Sequence, residues 1–193
     1  MNAPLVYITG ASGGIGQALA SRFAGAGWRL ALVARRAEGL RGWAAGQGLD
    51  ESRCAVYGAD VRQIDSIVAA GQDCIVRQGL PDVVIANAGI SVGMDCAQRA
   101  DLDVMREVLE TNLLGLAATF HPFVTPMRQR RSGKLVGVSS LAAIRGLPGH
   151  GAYSASKAGV VNFCESLRGE CRADGVGVVT LLPGYIATPL TER

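Results

Sequence analysis

Two residues that could together move a proton, Tyr153 and Lys157, stand in the stretch Gly151-Ala152-Tyr153-Ser154-Ala155-Ser156-Lys157. On a helix, residues at i and i+4 share one face with their Cβ atoms about 5–6 Å apart. The ammonium can then lie beside the phenol, whose ordinary pKa is about 10. A cation at about 4 Å in an effective dielectric near 20 is worth roughly 4 kcal/mol. That equals about three pKa units and would bring the phenol toward neutrality, where a general acid/base works best. The chain carries 19 Lys and Arg residues, yet Lys134 and Lys157 are its only lysines. A compact point charge here, in a chain that otherwise uses arginine, suits a role that a planar fork would fill poorly. By itself a Tyr-Lys helical pair is most often a surface contact. The rest of the chain has to supply the site.

The elements that would position this pair alternate in type. Short apolar runs at 5–9, 29–34, 54–57, 82–86, 134–139 and 176–182 are nearly continuous in Val, Ile, Leu and Ala, as strands buried on both faces are. Helical patterns fall between them at 14–25, 38–46, 64–78, 102–130 and 152–172. The fourth reads as one long helix that Pro122 and Pro126 bend or break. Strand-helix alternation of this kind predicts right-handed βαβ units and an α/β fold, a three-layer, doubly wound parallel sheet. No linker and no repeat beyond the βα unit divides the sequence, so a single domain over 1–193 is expected.

Directly after the first strand comes Thr9-Gly10-Ala11-Ser12-Gly13-Gly14-Ile15-Gly16. Backbone N–H groups at a helix N-terminus, with no side chains in the way, form a pyrophosphate site. The glycines follow GxxxGxG rather than GxGxxG, and the alternative reading is a turn needed only for tight strand-helix packing. The second strand ends Leu32-Val33-Ala34-Arg35-Arg36, with no carboxylate. An acid at that point reads a ribose 2′-OH and arginine a 2′-phosphate. Arg35 and Arg36 therefore favour NADP(H) over NAD(H), unless both are solvated helix-start residues.

The residue balance excludes several classes. The 193 residues are 49% hydrophobic and 18% charged with net charge +3, a globular composition with no strong pull toward nucleic acid. The basic run Arg128-Gln129-Arg130-Arg131 has no interleaved aromatics and reads as a solvated helix end. Cys54, Cys74, Cys96, Cys164 and Cys171 include no CxxC and no paired His, which argues against zinc and against a disulfide framework. No stretch is long enough to span a membrane, and the start lacks a charged n-region. A cytoplasmic location is expected.

Taken in order, these motifs resemble the short-chain dehydrogenase/reductase family over most of the chain, from Leu5 to Pro189. Asp60-Val61 is similar to that family's adenine-holding pair. Asn87-Ala88-Gly89 after the fourth strand is similar to its NAG motif. Asn112, Ser140, Tyr153 and Lys157 resemble its catalytic tetrad, with Ser140 a better fit than Ser139. Pro183, Gly184, Ile186 and Thr188 resemble the segment beside the nicotinamide. The resemblance implies the strand order 3-2-1-4-5-6 and a cofactor held by Gly10, Ser12, Gly14, Ile15, Gly16, Asp60, Val61, Asn87, Ala88 and Gly89. It also implies hydride transfer between that cofactor and a small carbonyl or alcohol compound. Tyr153 would protonate the oxygen and Ser140 would hydrogen-bond it. Lys157 would lower the phenol's pKa and bind the nicotinamide ribose, and Asn112 would anchor a proton-supplying water. No metal is implied. A homodimer or homotetramer built on the helices at 102–130 and 152–172 is implied as well.

Two features depart from the family pattern. Gly13 stands where many NADP-dependent relatives have a basic residue. The sequence ends at Arg193, so the substrate lid and seventh strand of the family are expected to be missing, with 176–182 left as an edge strand. That leaves open a second function class, a catalytically idle dinucleotide-binding module. A methyltransferase-like Rossmann protein would have no use for Ser140, Tyr153 and Lys157 together.

Overall fold

The structure, a computed structural model, describes residues 3–187. Six strands, β1 (Leu5–Thr9), β2 (Arg29–Ala34), β3 (Cys54–Gly58), β4 (Val83–Ala86), β5 (Lys134–Val138) and β6 (Gly177–Leu181), form one parallel sheet in the order β3-β2-β1-β4-β5-β6. This is the predicted α/β doubly wound sheet with the predicted strand order. The helices are α1 (Gly14–Gly25), α2 (Ala37–Gly46), α3 (Ile64–Gln78), α4 (Asp101–Leu109), α5 (Gly115–Arg130) and α6 (Gly151–Cys171). Element ends differ from the sequence expectation by a residue or two, as hydrogen-bond criteria at frayed ends allow.

Alternation along β1 explains its unbroken apolar run. Leu5 and Tyr7 enter a core with Ile67 and Cys74 of α3, Phe120 and Phe123 of α5 and Val160 of α6. Val6 and Ile8 point to the other face, against Ala20 of α1 and Leu40 and Ala44 of α2. Both faces of the strand are therefore dry, and a polar residue on either side would be buried without a partner.

The long helix at 102–130 needs a correction. Its irregularity is not at the prolines but at a single π turn, Glu110–Leu114, between α4 and α5. Pro122 and Pro126 both lie inside α5, which continues through them. Proline in a helix interior costs about 3 kcal/mol. Phe120, Phe123 and Met127 on the same helix are fully buried, and each such side chain contributes about 1.5–3 kcal/mol. Pro122 also has a seat on α3, since a Cβ on Gly71 would come within 2.5 Å of its ring. Tertiary packing thus overrides the local preference. The π turn falls instead on Asn112.

Candidate active site at the carboxyl ends of the strands

In a parallel sheet the strand order reverses between β1 and β4, and the connecting loops leave a crevice at the strands' carboxyl ends. Here that crevice is a cleft of about 330 Å³, lined among others by Gly10, Ser12, Gly14, Ile15, Arg35, Asp60, Val61, Asn87, Ala88, Gly89, Ser140, Tyr153, Lys157, Pro183, Gly184 and Ile186. One continuous space therefore joins the glycine loop to the Tyr-Lys pair.

The glycine loop is shaped by close approach. Gly10 has φ +65°, and a Cβ there would stand 2.8 Å from the Cα of Ala88. Gly16 is not on the cleft wall. It lies beneath, where a Cβ would meet the carbonyl oxygen of Gly10 at 2.2 Å and Asn87 Nδ2 at 2.7 Å. Asn87 stitches the two loops together, donating from Nδ2 to the carbonyls of Thr9 (3.1 Å) and Gly10 (3.2 Å). Its own N–H donates to Thr9 Oγ1 at 3.1 Å, as does that of Ala88 at 3.3 Å. Gly13 precedes α1 with no side-chain cap. The first N–H groups of that helix thus face the cleft unblocked, the arrangement that suits an anion.

At the far end of the loop cluster, Arg35 follows β2 and lines the cleft. Arg36 is exposed at the start of α2 and is not among the lining residues. Burial works to raise the pKa of Asp60, but hydrogen bonds from Arg62 and the charges of Arg62 and Arg35 outweigh it and hold the carboxyl below its usual range. Val61 packs against the start of α5, where a Cβ on Gly115 would approach its side chain to 2.9 Å.

Around the Tyr-Lys pair the fold is tightly determined. Lys157 is 5% exposed, and its Nζ donates a 2.8 Å hydrogen bond to the carbonyl of Val138 at the end of β5. Burial lowers its pKa to about 8. The Nζ lies 5.7 Å from the centroid of the Tyr153 ring. Gly89 gives it room, because a Cβ there would lie 3.3 Å from Nζ and 3.2 Å from Asn112 Oδ1. Ser140 Oγ accepts from the N–H of Ala142 at 3.2 Å, which leaves its proton to donate. Asn112 does not line the cleft. It is 1% exposed, and its amide accepts from the Ile90 N–H (2.8 Å) and donates to the Ile90 carbonyl (2.9 Å) and Ser156 Oγ (2.9 Å). Its side chain thus fixes the strand β4 loop against α6. Thr188 lies outside the described residues.

The segments at 90–94 and 141–149 meet beside the start of α6. The N–H of Met94 donates to the Gly149 carbonyl at 2.8 Å, that of Ala152 to Met94 Sδ at 3.2 Å, and Ser91 Oγ lies 3.5 Å from His150 Nδ1. Leu141, Ile144 and Tyr185 remain exposed nearby. Gly13 and Ser139, weighed in the sequence without being assigned to the site, also line the cleft, and so do Arg62, Thr111 and Val138, which no motif singled out. Arg62 had a readable signal, since an Asp side chain commonly bonds the backbone two residues on. Among the described residues no three His, Cys, Asp or Glu side chains gather as a metal site, the five cysteines are unpaired, and no helix is long and apolar enough to cross a membrane.

Comparison with known proteins agrees with this architecture. The profile of a family described as short chain dehydrogenase matches residues 4–193. An uncharacterized oxidoreductase of Myxococcus xanthus is 39% identical, over 95% of this chain and 72% of its own length. An acetoacetyl-CoA reductase of an Acinetobacter species is 31% identical, over 96% of this chain and 75% of its own. The X-ray structure of an alcohol dehydrogenase from the archaeon Thermococcus sibiricus, complexed with 5-hydroxy-NADP, superposes with a TM-score of 0.87 at 28% identity. It covers 96% of this chain and 77% of that one. The chain belongs to the short chain dehydrogenase family of oxidoreductases, which act between alcohol and carbonyl groups.

Proposed function

We propose that this chain interconverts a small carbonyl compound and its alcohol with NADP(H) as hydride carrier and Tyr153 as general acid/base. The observation that carries the reading is the single cleft that joins the uncapped N-terminus of α1 to Ser140, Tyr153 and Lys157. A dinucleotide fits these residues. The helix start and loop N–H groups would take the pyrophosphate, Asp60 and Val61 would hold the adenine, and Ala88 and Gly89 would border the cofactor. Pro183, Gly184 and Ile186 would border the nicotinamide. When bound, the nicotinamide supplies or accepts the hydride.

The protein's own groups do the rest. Negative charge grows on the substrate oxygen during reduction and needs donors aimed at it. Tyr153 gives that oxygen its proton, and Ser140 donates a hydrogen bond to it. Lys157, charged below about pH 8, favours the phenolate left behind. Asn112, with its amide committed to Ile90 and Ser156, holds the helix against the cleft floor near Lys157, and its remaining acceptor capacity serves the proton supply. Arg35 supports NADP(H), as does the NADP analogue in the archaeal structure. Exposed Leu141, Ile144 and Tyr185 beside the cleft support a partly apolar substrate. Half-exposed Leu102 and Leu114 on the α4–α5 helix support a homodimer or homotetramer through that face, and the free cysteines suit the cytoplasm. The test is NADPH oxidation across a panel of ketones, aldehydes and quinones. Turnover of at least one class is expected, whereas binding without turnover would favour an idle cofactor-binding module.

A further inference from the structure

The geometry points to Arg62 as a positioning residue for the adenine end of the cofactor, acting through Asp60. The inference rests on the cofactor reading given above and adds to it a residue outside every motif. Arg62 grips both oxygens of one carboxylate. Its backbone N–H donates to Asp60 Oδ1 at 3.0 Å and its Nη2 to Asp60 Oδ2 at 3.3 Å. Among the described residues the Asp60 carboxylate has no other hydrogen-bond partner, so Arg62 alone fixes its rotation. The guanidinium is itself anchored, because Nη1 donates to Glu107 Oε1 on α4 at 2.8 Å. One planar fork thus spans from the loop after β3 to the helix that leads into the π turn. Arg62 and Asp60 both line the cleft, and their side chains are 32% and 25% exposed. A carboxylate held at both oxygens keeps its remaining lone pairs aimed in fixed directions, ready to accept from an adenine amino group. A freely rotating one would have to be ordered on binding.

The experiment measures NADPH affinity by nicotinamide fluorescence, and KM against kcat, for Asp60→Asn, Arg62→Leu, Arg62→Lys and the Asp60→Asn/Arg62→Leu double variant. Having to order a freed carboxylate side chain on binding predicts roughly threefold to tenfold weaker NADPH binding for Arg62→Leu. The loss should appear mainly in KM, with partial recovery in Arg62→Lys and a melting temperature close to the parent's. The double variant should bind no more weakly than Asp60→Asn alone, because both changes remove the same interaction. Additive losses would overturn the proposal and make Arg62 a direct cofactor contact. Unchanged affinity in Arg62→Leu would overturn it as well. If the parent protein itself fails to bind NADPH, it is the cofactor reading that fails.

Discussion

The hydroxyl of Ser139 donates a 2.7 Å hydrogen bond to the backbone carbonyl of Lys157, inside the core. The residue that follows strand β5 therefore grips helix α6, next to Ser140 on the cleft wall. The two neighbouring serines should separate cleanly in experiment. Ser139→Ala removes a buried hydrogen bond, worth about 1 kcal/mol of stability, and should lower Tm by several degrees. Ser140→Ala should leave Tm nearly unchanged while lowering kcat by about a hundredfold, as loss of one donor to a developing oxyanion does. Thermal melts and steady-state rates on the same preparations check both. A reversed pattern would assign the catalytic donor to Ser139.

Lys157 should sit where function opposes stability. Burial takes its pKa from 10.5 to about 8, which at neutral pH is a cost of about 3 kcal/mol to the folded state. Removing the amine relieves that cost but leaves the Val138 carbonyl without its donor, a penalty of about 1–3 kcal/mol. Lys157→Met should therefore abolish turnover with little change in Tm at pH 7. The sign with pH follows from proton binding. From about pH 8 up to 10.5 the unfolded chain holds a proton that the folded chain has released, so this group makes the parent more stable as pH rises. Below pH 8 both states hold it and the slope vanishes. Melts at pH 7 and pH 10 should show that this rise is missing from Lys157→Met, and a Tm at pH 7 lower by about 10 °C or more would contradict the account.

Arg35 lines the cleft at the end of β2. A guanidinium on a 2′-phosphate is a charge-assisted contact worth about 1.5–3 kcal/mol, so Arg35→Ala should weaken NADPH by roughly tenfold to a hundredfold and NADH far less. Comparing the two dissociation constants is sufficient. Equal losses would mean that Arg35 does not read the phosphate.

Gly16 tests the packing beneath the loop. A Cβ there would lie 2.2 Å from the Gly10 carbonyl oxygen, and backbone cannot rotate away as a side chain can. Gly16→Ala should cost about 1–3 kcal/mol or more and should displace the loop enough to weaken NADPH. A variant with parental Tm and affinity would show that the loop yields freely.

Much of this was legible in the sequence because it rests on local pattern. The strand spans and the glycine loop follow from apolar runs and turn residues whose chemistry is fixed over a few positions, whereas the strand order is non-local and comes only with the resemblance of the ordered motifs to the short-chain dehydrogenase/reductase family. The π turn was not legible. Pro122 announces a break, while the reason for its tolerance, a missing Cβ on Gly71 and three buried neighbours, lies elsewhere in the chain. Asn112 was legible as an interior polar residue on the helix, but its commitment to Ile90 depends on where the β4 loop lands. Arg62 shows the same limit. Its spacing from Asp60 was visible, whereas Glu107, which completes the fork, is distant in sequence and near only in the fold.

The most direct test of the account is Tyr153→Phe, measured for both NADPH binding and carbonyl reduction. The ring keeps its place on α6 and only the phenolic proton is lost. Turnover should fall by at least about a hundredfold, as loss of a general acid entails, with NADPH affinity unchanged. Turnover equal to the parent's in Tyr153→Phe would contradict it.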